Sequence, residues 1–465
     1  MCFDITVVAV DAWCYSSQQF KRGNLLKSEN SPNRQILAQG IPFHYGWIIV
    51  GAGGMACLVN SSIRISFGVF IDPLVEELYW SRGATSLAFS LQFICLGLFG
   101  VLAGWILEHY GLRKTMQIGA FLFTIGMVFT GLMDSLWQFY LAYGVIIGAA
   151  MSFFSTPVIT TVTLWFKKKR GFAGGIVWGL QGMGPVVMAP ILRYVIGAFS
   201  WEQAFIITGL VGGSVMLLMS FLVHSKPWDI GLLPYGQSKI TDGADGFLLD
   251  GKIDVNESQF FRKVIKTPTF WYLTTVHFLG CISHSLILIH IVSMATLSGL
   301  GPLVAAGTLS ILVAASVISR FSMSVMTDVI SSKGVMYLSI AIQSVSILGL
   351  FFVSGAWSYY LVAAIFGFGY GGEMVGFPFI NREYYGNAPV GRVYGLQMFG
   401  ACLGMGIGGW AGGAIFDWTG AYTLGIVLAV VTGFMSLILI APVKPPSKQQ
   451  LKIILAPEVQ ITEVR

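Results

Sequence analysis

Twelve apolar runs, each of about 19–25 residues, fall in two sets of six on either side of a polar gap at His224–Lys266. At ~1.5 Å per residue, runs of this length cross a ~30 Å hydrocarbon layer. Lipid offers no water to pair with backbone amides and carbonyls, so each run must satisfy them internally as an α-helix. The expected spans are 46–70, 85–107, 115–133, 136–161, 171–194, 201–223, 268–291, 302–326, 334–354, 357–381, 390–414 and 421–441. The pattern predicts an all-α membrane protein with twelve transmembrane helices in two pseudo-symmetric six-helix bundles. Residues 44–223 form the first bundle and 267–443 the second, with a central loop at 224–266 and polar segments at 1–43 and 444–465.

Only 10% of the 465 residues are charged and 55% are hydrophobic, against a usual charged share of ~25%. The net charge of +6 is not a nucleic-acid signal, because the basic residues lie between the helices rather than on one face. With both termini placed on one side, that side collects 23 of the 27 Lys and Arg residues. Arg82 and Arg193 fall on the other side, and Arg64 and Arg320 lie within helices. Such asymmetry places both termini in the cytoplasm. No secretory signal is expected, since Asp4 and Asp11 flank the short apolar stretch near the N-terminus. The six cysteines show no paired spacing and read as small buried residues.

The halves echo each other at an offset of 220 residues. Gly104-x-x-x-Glu108 recurs as Ser324-x-x-x-Asp328, and Gly171-x-x-x-Gly175 as Gly391-x-x-x-Gly395. Ser200-Trp201 and Gly420-Ala421-Tyr422 each precede a sixth helix. Duplicated halves of membrane helices place a solute site on the pseudo-symmetry axis and permit alternating access by rocking.

The stretch Gly104-Trp-Ile-Leu-Glu108-His-Tyr-Gly111-Leu-Arg113-Lys114 resembles the loop signature G-x-x-x-D-R-x-G-R-R of the major facilitator superfamily. Glu108 stands for the usual Asp and His109 for a basic residue. The second copy keeps Asp328 and has Lys333 as its one basic residue. Four further segments narrow the resemblance to monocarboxylate transporters and oxalate:formate antiporters. They are Arg64-Ile-Ser-Phe-Gly-Val-Phe-Ile-Asp-Pro73, Trp165-Phe-Lys-Lys-Lys-Arg-Gly-Phe-Ala-Gly-Gly-Ile176, Pro227-Trp-Asp-Ile-Gly-Leu-Leu-Pro-Tyr-Gly236 and Glu383-Tyr-Tyr-Gly386. The resemblance implies a secondary transporter of a small organic anion, a monocarboxylate carried by proton symport or anion exchange. It also implies a conformational latch at Gly104, Glu108, Gly111, Arg113 and Asp328; the other reading leaves Arg113 and Lys114 as topology signals alone.

Arg64, Arg320 and Glu373 lie inside apolar runs. Each costs about 2.5–3.5 kcal/mol at mid-membrane, so each needs a cavity or a partner. Arg320 matches a helix-eight arginine that resembling carriers use to hold a carboxylate, and a guanidinium fork suits that group. The acid those carriers place four residues earlier is Ser316 here. The alternative is a structural pair between Arg320 and Glu373. Arg64 either binds substrate or reaches outward to Asp72. Glu373 either carries the proton or pairs with Arg320. Of His277, His284 and His290 in helix seven, His284 is the candidate substrate contact, against a hydrogen-bonded bundle histidine. Helix eleven offers only Arg392 at its inner mouth, which speaks against a dicarboxylate held by two mid-membrane cations unless Arg64 serves.

Neither a cofactor nor a metal is expected. Gly246-x-x-x-x-Gly251-Lys252 lacks the Ser or Thr of a phosphate loop, and Gly367-x-Gly369-x-x-Gly372 lies inside a helix, so no nucleotide is expected either. An intramembrane enzyme has no nucleophile–base cluster to support it. Helix five keeps Gly184-Pro185 but loses the rest of the drug:proton antiporter signature. The remaining alternatives are an efflux carrier for a larger apolar compound and a non-transporting sensor. The carrier is expected to work as a monomer in the bilayer of the cell membrane.

Overall fold

The computed structural model describes residues 44–236, 257–385, 391–447, 449–450 and 454. The polar segment 1–43, the loop motif Gly246–Lys252 and most of the C-terminal tail lie outside the described residues. Among the described residues, eleven helices have the length and composition to cross a membrane. The longest, Arg82–Gly131, is broken at Gly111 (φ 78°, ψ 171°), so it supplies two spans and the total is twelve.

In chain order, α1 is Gly46–Ile65, continued after a break at Ser66–Phe67 by Gly68–Leu78. The arms 82–110 and 112–131 are α2 and α3. Next come α4 (Leu136–Trp165, with a π-helical stretch at Tyr140–Ile147), α5 (Arg170–Ala198) and α6 (Trp201–Phe221). The second set is α7 (Pro268–Leu297), α8 (Pro302–Ile330), α9 (Ser332–Leu348), α10 (Ala356–Tyr385), α11 (Gly391–Thr419) and α12 (Thr423–Ile440). Starts are set by ordinary caps: Ser81, Ser200 and Thr267 accept from the amides of Ala84, Gln203 and Phe270, and Pro268 and Pro302 open their helices. Apolar side chains such as Val101, Phe121, Leu218, Val345 and Ile438 point outward on the surface that lipid covers.

The 220-residue echo is carried by the backbone. Gly111 and Ser331 share one unusual conformation, φ 78°, ψ 171° and φ 71°, ψ 155°. Each is followed by an amide held from afar: Leu112 N–H donates to Ser225 Oγ (2.7 Å) and Ser332 N–H to Glu383 Oε2 (2.9 Å). Tyr79 and Gly299 both take positive φ, and α2 and α8 start at Arg82 and Pro302, the same offset apart. This region of φ/ψ is open essentially to glycine alone and costs other residues about 1–3 kcal/mol. Gly111→Ala is therefore expected to lower the melting temperature, because Ser225 Oγ also fills the space a β-carbon needs. Ser331→Gly is expected to raise stability by about 1 kcal/mol, since glycine replaces a Ser N-cap at a loss of only a few tenths. Thermal unfolding of the detergent-purified protein checks both signs.

The two sets of six meet along α2–α11 and α5–α8. Contact tightens toward the end opposite the central segment. There, Arg82 and Gly83 N–H groups donate to the Asp417 carboxylate (2.8 and 2.6 Å), Ser293 donates to Asp72 (2.7 Å), and Ser90 donates to Gly406 O (2.5 Å). Toward the basic end, a β-carbon on Gly100, Gly104, Gly171, Gly174 or Gly395 would meet open space among the described residues. The molecule is thus closed at the Asp417 end and parted at the basic end.

Candidate functional site

Arg64 of α1 and Arg320 of α8 come from opposite sets and converge between them. Arg64 lies 5.6 Å from the Phe93 ring of α2, and Arg320 faces Gly182 of α5. Both are largely enclosed by protein yet keep part of their surface open. Their charges repel, and Tyr370 of α10 lies within electrostatic range of both. Neither Nε has a hydrogen-bond partner, and neither arginine belongs to an ion pair among the described residues. Two enclosed cations with no acid partner among the described residues favour a compensating negative charge nearby.

Glu373 does not pair with Arg320. Its carboxylate is fully buried, and its Oε2 lies 3.5 Å from His284 Nδ1 on α7. The reason is helical phase. Gly367 and Gly371 put one face of α10 directly on the backbone of Leu312 and Ser316 in α8. Glu373, two residues and ~200° further round, points to α7 instead, where Gly280 leaves room for it. His284 itself is fully buried, with Nε2 3.0 Å from Met405 Sδ and its ring edge-on to Tyr370 (4.9 Å). It is not exposed to the cavity in this state. His277 stacks on Phe377 (3.6 Å), and His290 bonds Gly409 O (2.8 Å) and Tyr422 OH (3.1 Å), as bundle histidines do.

Arg64 does not reach Asp72 either. Asp72 is taken by Arg82 Nη1 (2.6 Å) and Ser293 Oγ (2.7 Å), both at the closed end. Arg82 in turn lies 4.8 Å from the Phe416 ring.

At the basic end, Glu108 is exposed and in no ion pair among the described residues. Arg113 donates to Phe221 O (2.8 Å), and Lys114 sits 5.5 Å from the Tyr110 ring. Gly104 faces open space, and the Asp328 side chain, like that of Arg392, lies outside the described residues. Two motifs distant in sequence form one platform here. Tyr235 N–H donates to Trp165 O (2.8 Å), Lys167 N–H to Tyr235 O (3.0 Å) and Trp165 Nε1 to His224 O (3.0 Å). Burial and the Arg113 guanidinium hold His224 below the ordinary histidine range, against the opposing pull of Asp229.

Sequence reasoning missed Tyr370 and the Glu373–His284 partnership. A signal was present: Arg64 and His284 are 220 residues apart, so they hold equivalent places in the two halves, and Tyr370 precedes Glu373 by one helical turn.

A family model described as Major Facilitator Superfamily matches residues 52–408 and 323–462. The chain is 26% identical over 416 residues to the oxalate:formate antiporter of Oxalobacter formigenes, covering 87% of this chain and 93% of that protein. Over 213 residues it is 29% identical to monocarboxylate transporter 6 of Mus musculus, covering 45% and 42%. Among solved structures, it matches a bacterial homolog of the human lysosomal transporter Spinster, in an inward-facing and unoccupied conformation. That match has a TM-score of 0.63 at 15% identity and covers 88% of this chain and 97% of that one.

Proposed function

We propose, from the premise that this chain belongs to the major facilitator superfamily of membrane transporters, that it carries a small organic anion held by its carboxylate between Arg64 and Arg320. The observation that carries this reading is the approach of two guanidiniums, one from each half, with no acid partner among the described residues. Helix eleven supplies no mid-membrane cation, but Arg64 does, so a dicarboxylate fits as well as a monocarboxylate. The likeness to an oxalate:formate antiporter and to monocarboxylate transporters supports the same class of substrate. An apolar efflux substrate would gain nothing from two desolvated cations.

The basic end faces the cytoplasm on this reading, and the carrier sits in the cell membrane and works as a monomer, since one chain supplies both arginines. The halves 44–223 and 267–443 rock about the site, and proton symport and anion exchange both fit the cycle. Uptake of labelled oxalate, formate and lactate into proteoliposomes, with and without a pH gradient, tests the proposal. Carriage of at least one supports it; carriage of none refutes it.

The loop Gly104–Lys114 acts as a latch that closes when the basic ends meet, with Glu108 and Asp328 facing basic partners across the gap. Such a partly exposed pair is worth on the order of 1 kcal/mol, or about fivefold in population. Glu108→Gln is expected to slow transport and raise alkylation of a cysteine placed in the basic half of the cavity. Unchanged alkylation leaves Arg113 and Lys114 as topology signals.

A further inference from the structure

We infer that Glu373 and His284 form a proton-binding site that is charge-linked to the arginine pair, which makes the carrier a proton–anion symporter. The inference rests on the proposed anion site and adds the coupling ion and its seat.

The geometry is that of a two-residue site lacking one hydrogen bond. Both Glu373 oxygens and His284 Nδ1 are buried without a partner, and Nδ1 and Oε2 face each other at 3.5 Å. A proton between them satisfies both atoms. With one proton the dyad is a carboxylate facing a neutral imidazole N–H, net −1. With two it is net neutral, as carboxylate and imidazolium or as carboxylic acid and imidazole. His284 pairs with no other acid among the described residues. The other titratable and polar groups around it are Cys281 and His277 on α7, Tyr370 on α10, Cys402 and Tyr394 on α11, and Ser339 and Gln343 on α9, behind α10. The balancing charges are the two arginines, from α1 and α8.

Tyr370 joins the two sites. Its ring sits edge-on to His284, and it lies near Arg64, Arg320 and Glu373. In the empty carrier, the two guanidiniums favour the net −1 dyad. A bound carboxylate cancels one of their charges, so the dyad loses that support and binds a proton. Linkage then requires the reverse: protonation of the dyad raises affinity for the anion. For a monocarboxylate, the enclosed region holds the same net charge empty with one dyad proton as it does loaded with the second. No charge imbalance then builds up in the low-dielectric interior on loading. The seat is sealed in this state, so proton entry belongs to a different step of the cycle.

Two measurements on the full-length protein test this. The first needs no transported solute: infrared difference spectroscopy follows the protonated-carboxyl band through a pH titration. A titrating band that is absent in Glu373→Gln, and whose midpoint moves by at least tenfold in proton concentration in His284→Gln, is expected. A pH-invariant band overturns the inference, even if Glu373→Gln fails to insert. In the second, proteoliposomes with trapped pyranine receive an inward gradient of oxalate, formate or lactate. Parent protein is expected to acidify the lumen. In Glu373→Gln the ratio of proton entry to anion counterflow should fall at least tenfold. Counterflow without acidification in the parent refutes the proton site and leaves the anion site standing. Absence of counterflow with all three anions counts against the anion site, while the infrared titration still decides the dyad.

Discussion

Arg320→Ala is expected to reduce carboxylate counterflow by at least a hundredfold in protein that still folds and inserts. A guanidinium fork on a carboxylate makes charge-assisted hydrogen bonds of about 1.5–3 kcal/mol each. Losing about 3 kcal/mol corresponds to more than a hundredfold in affinity. The fold should tolerate the change because Arg320 has no acid partner to strand: Glu373 belongs to His284. Removing one of two repelling guanidiniums even relieves the empty cavity. Arg320→Lys keeps the charge and loses the fork, so a residual rate about a tenth of the parent's is expected. Counterflow at the parent's rate in Arg320→Ala would remove the anion anchor. Loss of the protein from the membrane, rescued by Glu373→Gln, would restore the pairing of Arg320 with Glu373.

The closed end should yield the second large effect. Asp72 and Arg82 are both nearly dry, and Asp72 also accepts from Ser293 of the other half. Taking away one partner of a buried pair leaves a stranded charge at about 3–5 kcal/mol. In Asp72→Ala that cost falls on Arg82, and only while this end stays closed, since opening returns the guanidinium to water. The balance should shift by more than a hundredfold toward opening at this end. Asp417→Ala should act in the same direction more weakly, because Asp417 is exposed and its bonds go to backbone amides at the start of α2. Spin labels at Tyr79 and Trp418, both exposed at this end and in different halves, report the separation. A longer distance is expected in Asp72→Ala, and an unchanged distribution contradicts the gate.

The helices were legible because lipid forces one solution on a long apolar run. Their ends were less so. α1 continues to Leu78 because Ile71 and Leu74 carry its buried face past the Ser66–Phe67 break, with Pro73 housed in the continuation. Arg64, Arg320 and Glu373 announced themselves as charges in apolar runs. Their partners did not, because partnership across helices depends on rotation and crossing. Gly280 sets where Glu373 points, and it reads in sequence as one glycine among 57. The union of the Trp165 and Tyr235 motifs was hidden for the same reason, with two entire spans, α5 and α6, between them.

Binding of labelled oxalate, formate and lactate to the full-length protein, each competed by its unlabelled acid and by the matching uncharged amide, tests the central claim most directly. Saturable binding of at least one acid, resisted by the amide and lost in the folded double variant Arg64→Gln/Arg320→Gln, is the expected result. Equal competition by amides, or binding that survives in the double variant, would contradict an anion held between the two arginines.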